Sequence, residues 1–141
     1  MSAAEDREDL LGQVPLFAGI SAPGMEQLGA IADEVEVRAG TVLTQQGHRE
    51  GFFFIVLEGT VRIEHDGRTV NTLGPGDYLG EIALLDGGPR TATAIAETPC
   101  RLLSMTYHMF HELLDAQPEI RASILESVGR RLRELDEAAA I

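Results

Sequence analysis

Phe52-Phe53-Phe54-Ile55-Val56-Leu57-Glu58-Gly59-Thr60-Val61-Arg62-Ile63-Glu64-His65-Asp66-Gly67-Arg68-Thr69-Val70-Asn71-Thr72-Leu73 reads as three strands joined by two turns. Phe52 to Leu57 is apolar without alternation, as in a strand covered on both faces. Glu58-Gly59 then turns the chain into Thr60–Glu64. Asp66-Gly67 is a strong hairpin signal, because a two-residue turn of the right twist needs positive φ at both central positions. Arg68–Leu73 is the return strand.

The same period extends outward in both directions. Glu34-Val35-Glu36-Val37 alternates charged and apolar residues, the mark of a half-buried strand. Ala39-Gly40 turns it into Thr41–Thr44, and Gln46-Gly47-His48 turns again. Downstream, Gly74–Asp77 is a turn, and Thr91–Ala96 and Arg101–Met105 are strands split by Thr98-Pro99. Many short strands at regular turn spacing argue for a sandwich or jelly roll rather than a parallel α/β sheet.

Helical period brackets this block. Leu10–Gly19 is a short helical segment broken near Pro15, and Ser21 is an N-cap for a helix reaching about Ala32. After Met105, Tyr107–Ala116 carries Met109, Phe110, Leu113 and Leu114 on one face, and Gln117-Pro118 ends it. From Pro118 a longer helix carries the stripe Ile120, Ile124, Val128, Leu132 and Leu135. The expected fold is mainly β with flanking α-helices: a β-roll or jelly roll with short N-terminal helices and two C-terminal helices. Residues 1–9 read as a disordered tail, 10–136 as the domain and 137–141 as a C-terminal tail.

Composition narrows the function classes. The 141 residues make one ordinary domain, and 44% hydrophobic residues suffice for a core without staples. The formal net charge is -12, with arginine supplying every cation other than histidine. Such a surface is repelled by duplex phosphates, so no direct nucleic-acid contact is expected. The one cysteine, Cys100, excludes an internal disulfide and reads as a small core residue on a strand. Met1–Asp9 has no apolar signal region, and no apolar run reaches membrane-spanning length. A cytoplasmic domain without membrane contact is therefore expected.

The run Gly80-Glu81-Ile82-Ala83-Leu84-Leu85-Asp86-Gly87-Gly88-Pro89-Arg90-Thr91-Ala92-Thr93 carries the chemistry. Gly80 can bring backbone close to a ligand and adopt positive φ. Glu81 to Leu85 fits a short helical turn, whose first N–H groups suit an anion. Arg90 offers a planar fork of donors matched to phosphate oxygens. Ionised Glu81 only accepts, so it suits a sugar hydroxyl. Thr91 adds a hydroxyl beside Arg90, and Ala83 leaves room. Together these groups suit a phosphate on one side and a ribose 2′-OH on the other.

Gly76 to Ala96 resembles the phosphate-binding cassette of the cyclic nucleotide-binding domain family, with Gly80-Glu81 and Pro89-Arg90-Thr91-Ala92-Thr93 at the matching spacing. Phe52–Val61 is similar to the family's central strands, and Val14-Pro15-Leu16-Phe17 to its N-terminal helical motif, so the resemblance covers about residues 10 to 136. It implies that Arg90 binds the cyclic phosphate and Glu81 the ribose 2′-OH. Gly80, Ile82 and Ala83 would pack around the sugar-phosphate, and Thr91 would tune the purine. The C-terminal helix would cap the base, with Arg133, Leu135 and Asp136 as candidates; the Thr-Ser pair of the bacterial activators is not present there. The implied ligand is cAMP in preference to cGMP, by analogy with bacterial members.

The implied role is a regulatory sensor, catabolite-activator-like but without a DNA-binding domain, whose C-terminal helices signal to an effector protein that the sequence does not name. The apolar stripe from Ile120 to Leu135 fits packing on the β-roll or a homodimer through the same helix, and its spacing leaves both open. A degenerate relative acting as a protein interaction module, or a sensor of another small anion using Arg90 alone, are the alternative readings. No enzyme is expected, since hydrolysis of a phosphodiester needs a metal cluster or a base at the phosphate. His108 and His111, three apart on a helix and followed by Glu112, have no third ligand in view and read as a solvated face. Neither a metal nor a cofactor beyond the nucleotide is expected.

Overall fold

The computed structural model describes residues 17, 21–48, 52–80, 90–123, 125–126 and 129–130. Helix α1 spans Ala22–Ile31. Among the described residues eight strands follow: β1 Asp33–Val37, β2 Val42–Thr44, β3 Phe52–Glu58, β4 Val61–His65, β5 Arg68–Leu73, β6 Tyr78–Leu79, β7 Thr93–Ala96 and β8 Cys100–Thr106. Helix α2, Tyr107–Ala116, continues directly from β8. The chain is helical again at 118–123 and at the described positions 125, 126, 129 and 130.

Two four-stranded sheets form, ordered β1-β8-β3-β6 and β2-β7-β4-β5, with every pair antiparallel. The pairs β4·β5, β3·β6, β2·β7 and β1·β8 describe one long antiparallel ribbon folded back at the β4–β5 hairpin and rolled into a sandwich. This is the jelly roll. The hairpin turn is Asp66 (φ 52) and Gly67 (φ 79), the two positive values that a right-twisted two-residue hairpin requires.

The apolar run in β3 follows from where that strand lies. Phe53, Ile55 and Leu57 join Leu103 and Met105 of β8 under the helices, packed with Leu28, Phe110, Leu113 and Ile120. Phe54 and Val56 point the other way, into the space between the sheets, with Val61, Leu73, Ala94, Ala96 and Leu102. Strand side chains alternate between faces, so a strand lining two cores needs apolar residues at successive positions. Cys100 is buried, as a core cysteine on a strand should be; its Sγ lies 3.2 Å from the Thr98 carbonyl oxygen and 3.4 Å from that of Thr60.

The start of α1 matches expectation: the Ser21 side chain accepts from the Gly24 N–H, with proline in the first turn. Three features differ. Tyr78–Leu79 is a strand, because these residues pair with Ile55 and Phe54 directly after the Gly74–Asp77 turn. β7 begins at Thr93 rather than Thr91, because the backbone of Arg90 bonds the 47–48 turn instead of a neighbouring strand. Phe52 lies at the open end of β3 and is 46% exposed, so only Phe53 to Leu57 are covered. Apart from Phe17, which is buried in the helix-side core, the segment Leu10–Gly19 lies outside the described residues. Among the described residues no helix is long and apolar enough to cross a membrane.

Candidate functional site

Arg90 is the organising side chain. It is 4% exposed, which is rare for an arginine and costly unless the guanidinium is well bonded. Its Nη1 donates to the Gly80 carbonyl at 3.2 Å, and its Nη2 donates to the Phe52 carbonyl. Those two carbonyls stand at the free ends of the paired strands β6 and β3, so one planar fork fixes both strand ends. The backbone of Arg90 is fixed too: its N–H donates to the His48 carbonyl at 2.8 Å, and its carbonyl accepts from Gly47 N–H at 2.9 Å.

Gly80 makes this arrangement possible. Its φ is +98°, and a Cβ there would lie 2.6 Å from Arg90 Nη1 and 2.7 Å from the Phe52 carbonyl oxygen. Gly80→Ala therefore meets both a disfavoured backbone conformation and a clash with a main-chain atom. It is expected to destabilise the protein by about 1–3 kcal/mol and to displace the guanidinium. Chemical denaturation together with the Arg90 side-chain NMR signals would check this.

The segment that follows Arg90 is held by polar side chains from elsewhere in the roll. The Thr91 carbonyl faces His65 Nδ1 at 3.0 Å, and the Ala92 carbonyl accepts from Thr44 Oγ1 at 3.3 Å. Thr93 Oγ1 accepts from the Gln46 N–H at 3.0 Å, so Thr93 serves the backbone. Thr91, the residue after the buried Arg90, is exposed.

Of the residues singled out from the sequence, Gly80, Arg90 and Thr91 come together at one end of the roll. Glu81, Ile82 and Ala83, and the base-lid candidates Arg133, Leu135 and Asp136, lie outside the described residues. Among the described residues no group of three or more potential ligands could hold a metal. Sequence reasoning missed the Phe52 carbonyl, which has no side-chain signature. It also missed Gln46 and His65, for which adjacency to turns was the only signal.

A recess of about 390 Å³ lined by Glu36, Val37, Arg38, Glu58, Pro99, Cys100 and Arg101 lies elsewhere. It abuts the Glu58 end of β3, whereas Arg90 binds the Phe52 end, about 20 Å away along the strand. Of its lining, Arg101 pairs with Glu58 at 3.2 Å and with Glu34, outside the recess, at 2.7 Å. Arg90 and Gly80 therefore stand at the opposite end of the sandwich.

Comparisons with known proteins identify the family. The profile of the cyclic nucleotide-binding domain matches residues 34–117, more than half of the chain, and the chain belongs to that family. It is 28% identical over 131 residues to a CRP-like cAMP-activated global transcriptional regulator of Mycobacterium tuberculosis, covering 89% of this chain and 58% of the regulator. It is 35% identical over 107 residues to a cAMP-dependent protein kinase regulatory subunit of Eremothecium gossypii, covering 76% of this chain and 23% of the subunit. Among solved structures, the catabolite activator protein of Thermus thermophilus superposes with a TM-score of 0.83 at 29% identity, covering 89% of this chain and 62% of that one. The chain thus spans less than two thirds of each of these relatives.

Proposed function

We propose that this chain binds a cyclic purine nucleotide, cAMP in preference to cGMP, as a regulatory sensor module. The observation that carries the reading is the buried Arg90 guanidinium, pinned by the Gly80 and Phe52 carbonyls within the stretch that matches the family. A buried cation held by backbone dipoles is preorganised for an anion, and a phosphate matches its planar fork. In this reading Arg90 holds the cyclic phosphate, Glu81 accepts the ribose 2′-OH, and Gly80, Ile82 and Ala83 pack around the sugar-phosphate. Thr91 lies toward the purine, and Arg133, Leu135 or Asp136 covers the base. The preference for cAMP is supported by the relatives, a cAMP-activated regulator and a cAMP-dependent kinase's regulatory subunit. The domain runs from about residue 10 to 136 and answers to a partner protein.

The fold supplies a route for the signal. Phe52 lends its carbonyl to Arg90, and Phe53, the next residue, packs its ring 4.7 Å from that of Phe110 on α2. A phosphate drawing on the guanidinium acts on the end of β3, and the opposite face of that strand carries the C-terminal helices. The ligand then favours one of two helix positions by its differential affinity for them.

Isothermal titration of nucleotide-stripped protein with cAMP and cGMP in parallel tests the reading. Saturable binding with cAMP tighter is the expected result. A folded sample that takes up neither nucleotide would overturn it.

A further inference from the structure

We infer that His65 is a positioning residue for the Arg90–Thr91 end of the cassette, acting as a latch that holds best when its imidazole is protonated; this rests on the nucleotide-binding reading above. The latch sits at the tip of the roll, where the β4–β5 hairpin meets the 44–48 turn and residues 90–93. His65 Nδ1 is 3.0 Å from the Thr91 carbonyl oxygen, which can only accept, so Nδ1 carries a proton. His65 Nε2 is 3.3 Å from Asp66 Oδ2, which when ionised also only accepts. Both ring nitrogens thus face acceptors, and only the imidazolium donates to both.

Asp66 is not at liberty to turn away when the ring is neutral. Its Oδ1 accepts from Gln46 Nε2 at 2.8 Å, and its backbone N–H donates to Gln46 Oε1 at 2.9 Å. Gln46 is in turn anchored within the same stretch, its N–H donating to Thr93 Oγ1 at 3.0 Å. A neutral imidazole therefore presents a lone pair either to the Thr91 carbonyl or to a fixed carboxylate. Loss of the proton loosens the bond to Thr91, the residue after the one whose guanidinium organises the site.

The other charged groups around His65 are few. Arg68 stands opposite it in the β4–β5 register. Glu64, next on β4, is paired with Arg62 at 3.3 Å. The 44–48 turn contributes one further titratable side chain, His48, and residues 90–93 contribute the buried Arg90. Asp66 is the carboxylate in contact with the ring among the described residues. Donation to both acceptors needs the imidazolium, so it ends when the ring gives up its proton.

The test is nucleotide affinity between pH 5.5 and 8.0 for the wild type, His65→Asn and His65→Ala. It is paired with the Ala92 amide NMR shift of the nucleotide-free protein over the same range. Wild-type affinity for cAMP is expected to fall about two- to fivefold with rising pH, the scale of an exposed ion pair. His65→Asn keeps a donor near the place of Nδ1 and cannot titrate, so it should bind like the low-pH wild type with a flat profile. His65→Ala, with an unchanged melting temperature, should bind about three- to tenfold more weakly throughout, the scale of one lost hydrogen bond. In the free protein the Ala92 amide, which shares the Thr91 carbonyl's peptide, should titrate with His65.

A flat wild-type profile, a slope retained in His65→Asn, or an Ala92 amide indifferent to pH overturns the latch while leaving nucleotide binding intact. Absence of nucleotide binding at every pH, with the Ala92 amide still titrating, overturns the nucleotide reading and the positioning role with it.

Discussion

Arg90→Ala is expected to weaken nucleotide binding by about 2–4 kcal/mol, a rise in Kd of about 30- to 900-fold. On the proposed assignment the magnitude follows from what would be lost: a charge-assisted, bidentate pair in a place where water substitutes poorly, because the side chain is 4% exposed. The substitution also removes the donors to the Gly80 and Phe52 carbonyls, so a stability loss of about 1–3 kcal/mol should accompany it. Arg90→Lys separates the two effects. Lysine keeps the charge but not the fork, so it should restore part of the affinity while still failing to bridge both strand ends. Isothermal titration gives the affinities, and urea denaturation confirms that each variant is folded at the temperature used. A folded Arg90→Ala protein with wild-type affinity would sink the phosphate assignment.

The legibility of this protein divides along physical lines. Strands with strong local signals were readable: β4 and β5 are set by the Asp66-Gly67 turn, and α1 by the Ser21 cap. The pairing order was not, because contacts such as Asp33 with Ser104 span about half of the chain and depend on the whole roll closing. Tyr78–Leu79 was missed because two residues cannot show an alternation, and their pairing comes entirely from β3. At the site, Arg90 and Gly80 were legible because their chemistry is unusual in side chain or backbone. The groups that position them were hidden for opposite reasons. The Phe52 carbonyl is a backbone atom like any other, and its ring gives the misleading impression of a buried residue. His65 and Gln46 look like exposed turn residues in sequence, and only the tertiary fold brings them against Thr91, Asp66 and Thr93.

Phe110→Ala should cost about 3–5 kcal/mol of stability, the range for truncating a fully buried aromatic. Phe110 is 0% exposed, and its ring lies 4.7 Å from Phe53 at an interplanar angle of 32°. It anchors α2 in a core that also holds Leu28 of α1, Ile55 of β3, Leu103 and Met105 of β8, and Ile120 beyond the Gln117 cap. Truncation leaves a cavity where three layers meet, and none of them can close it without unpacking another. Domains of this size are stable by about 5–15 kcal/mol, so the loss is a large share of the whole. Phe52→Ala is the matched control: the same residue type on the same strand is 46% exposed there and should cost about 1 kcal/mol or less. Urea denaturation of both variants, with an unchanged m-value, checks the contrast. If the two cost the same, α2 is not held through Phe110, and the route from Arg90 through β3 to the C-terminal helices loses its last step.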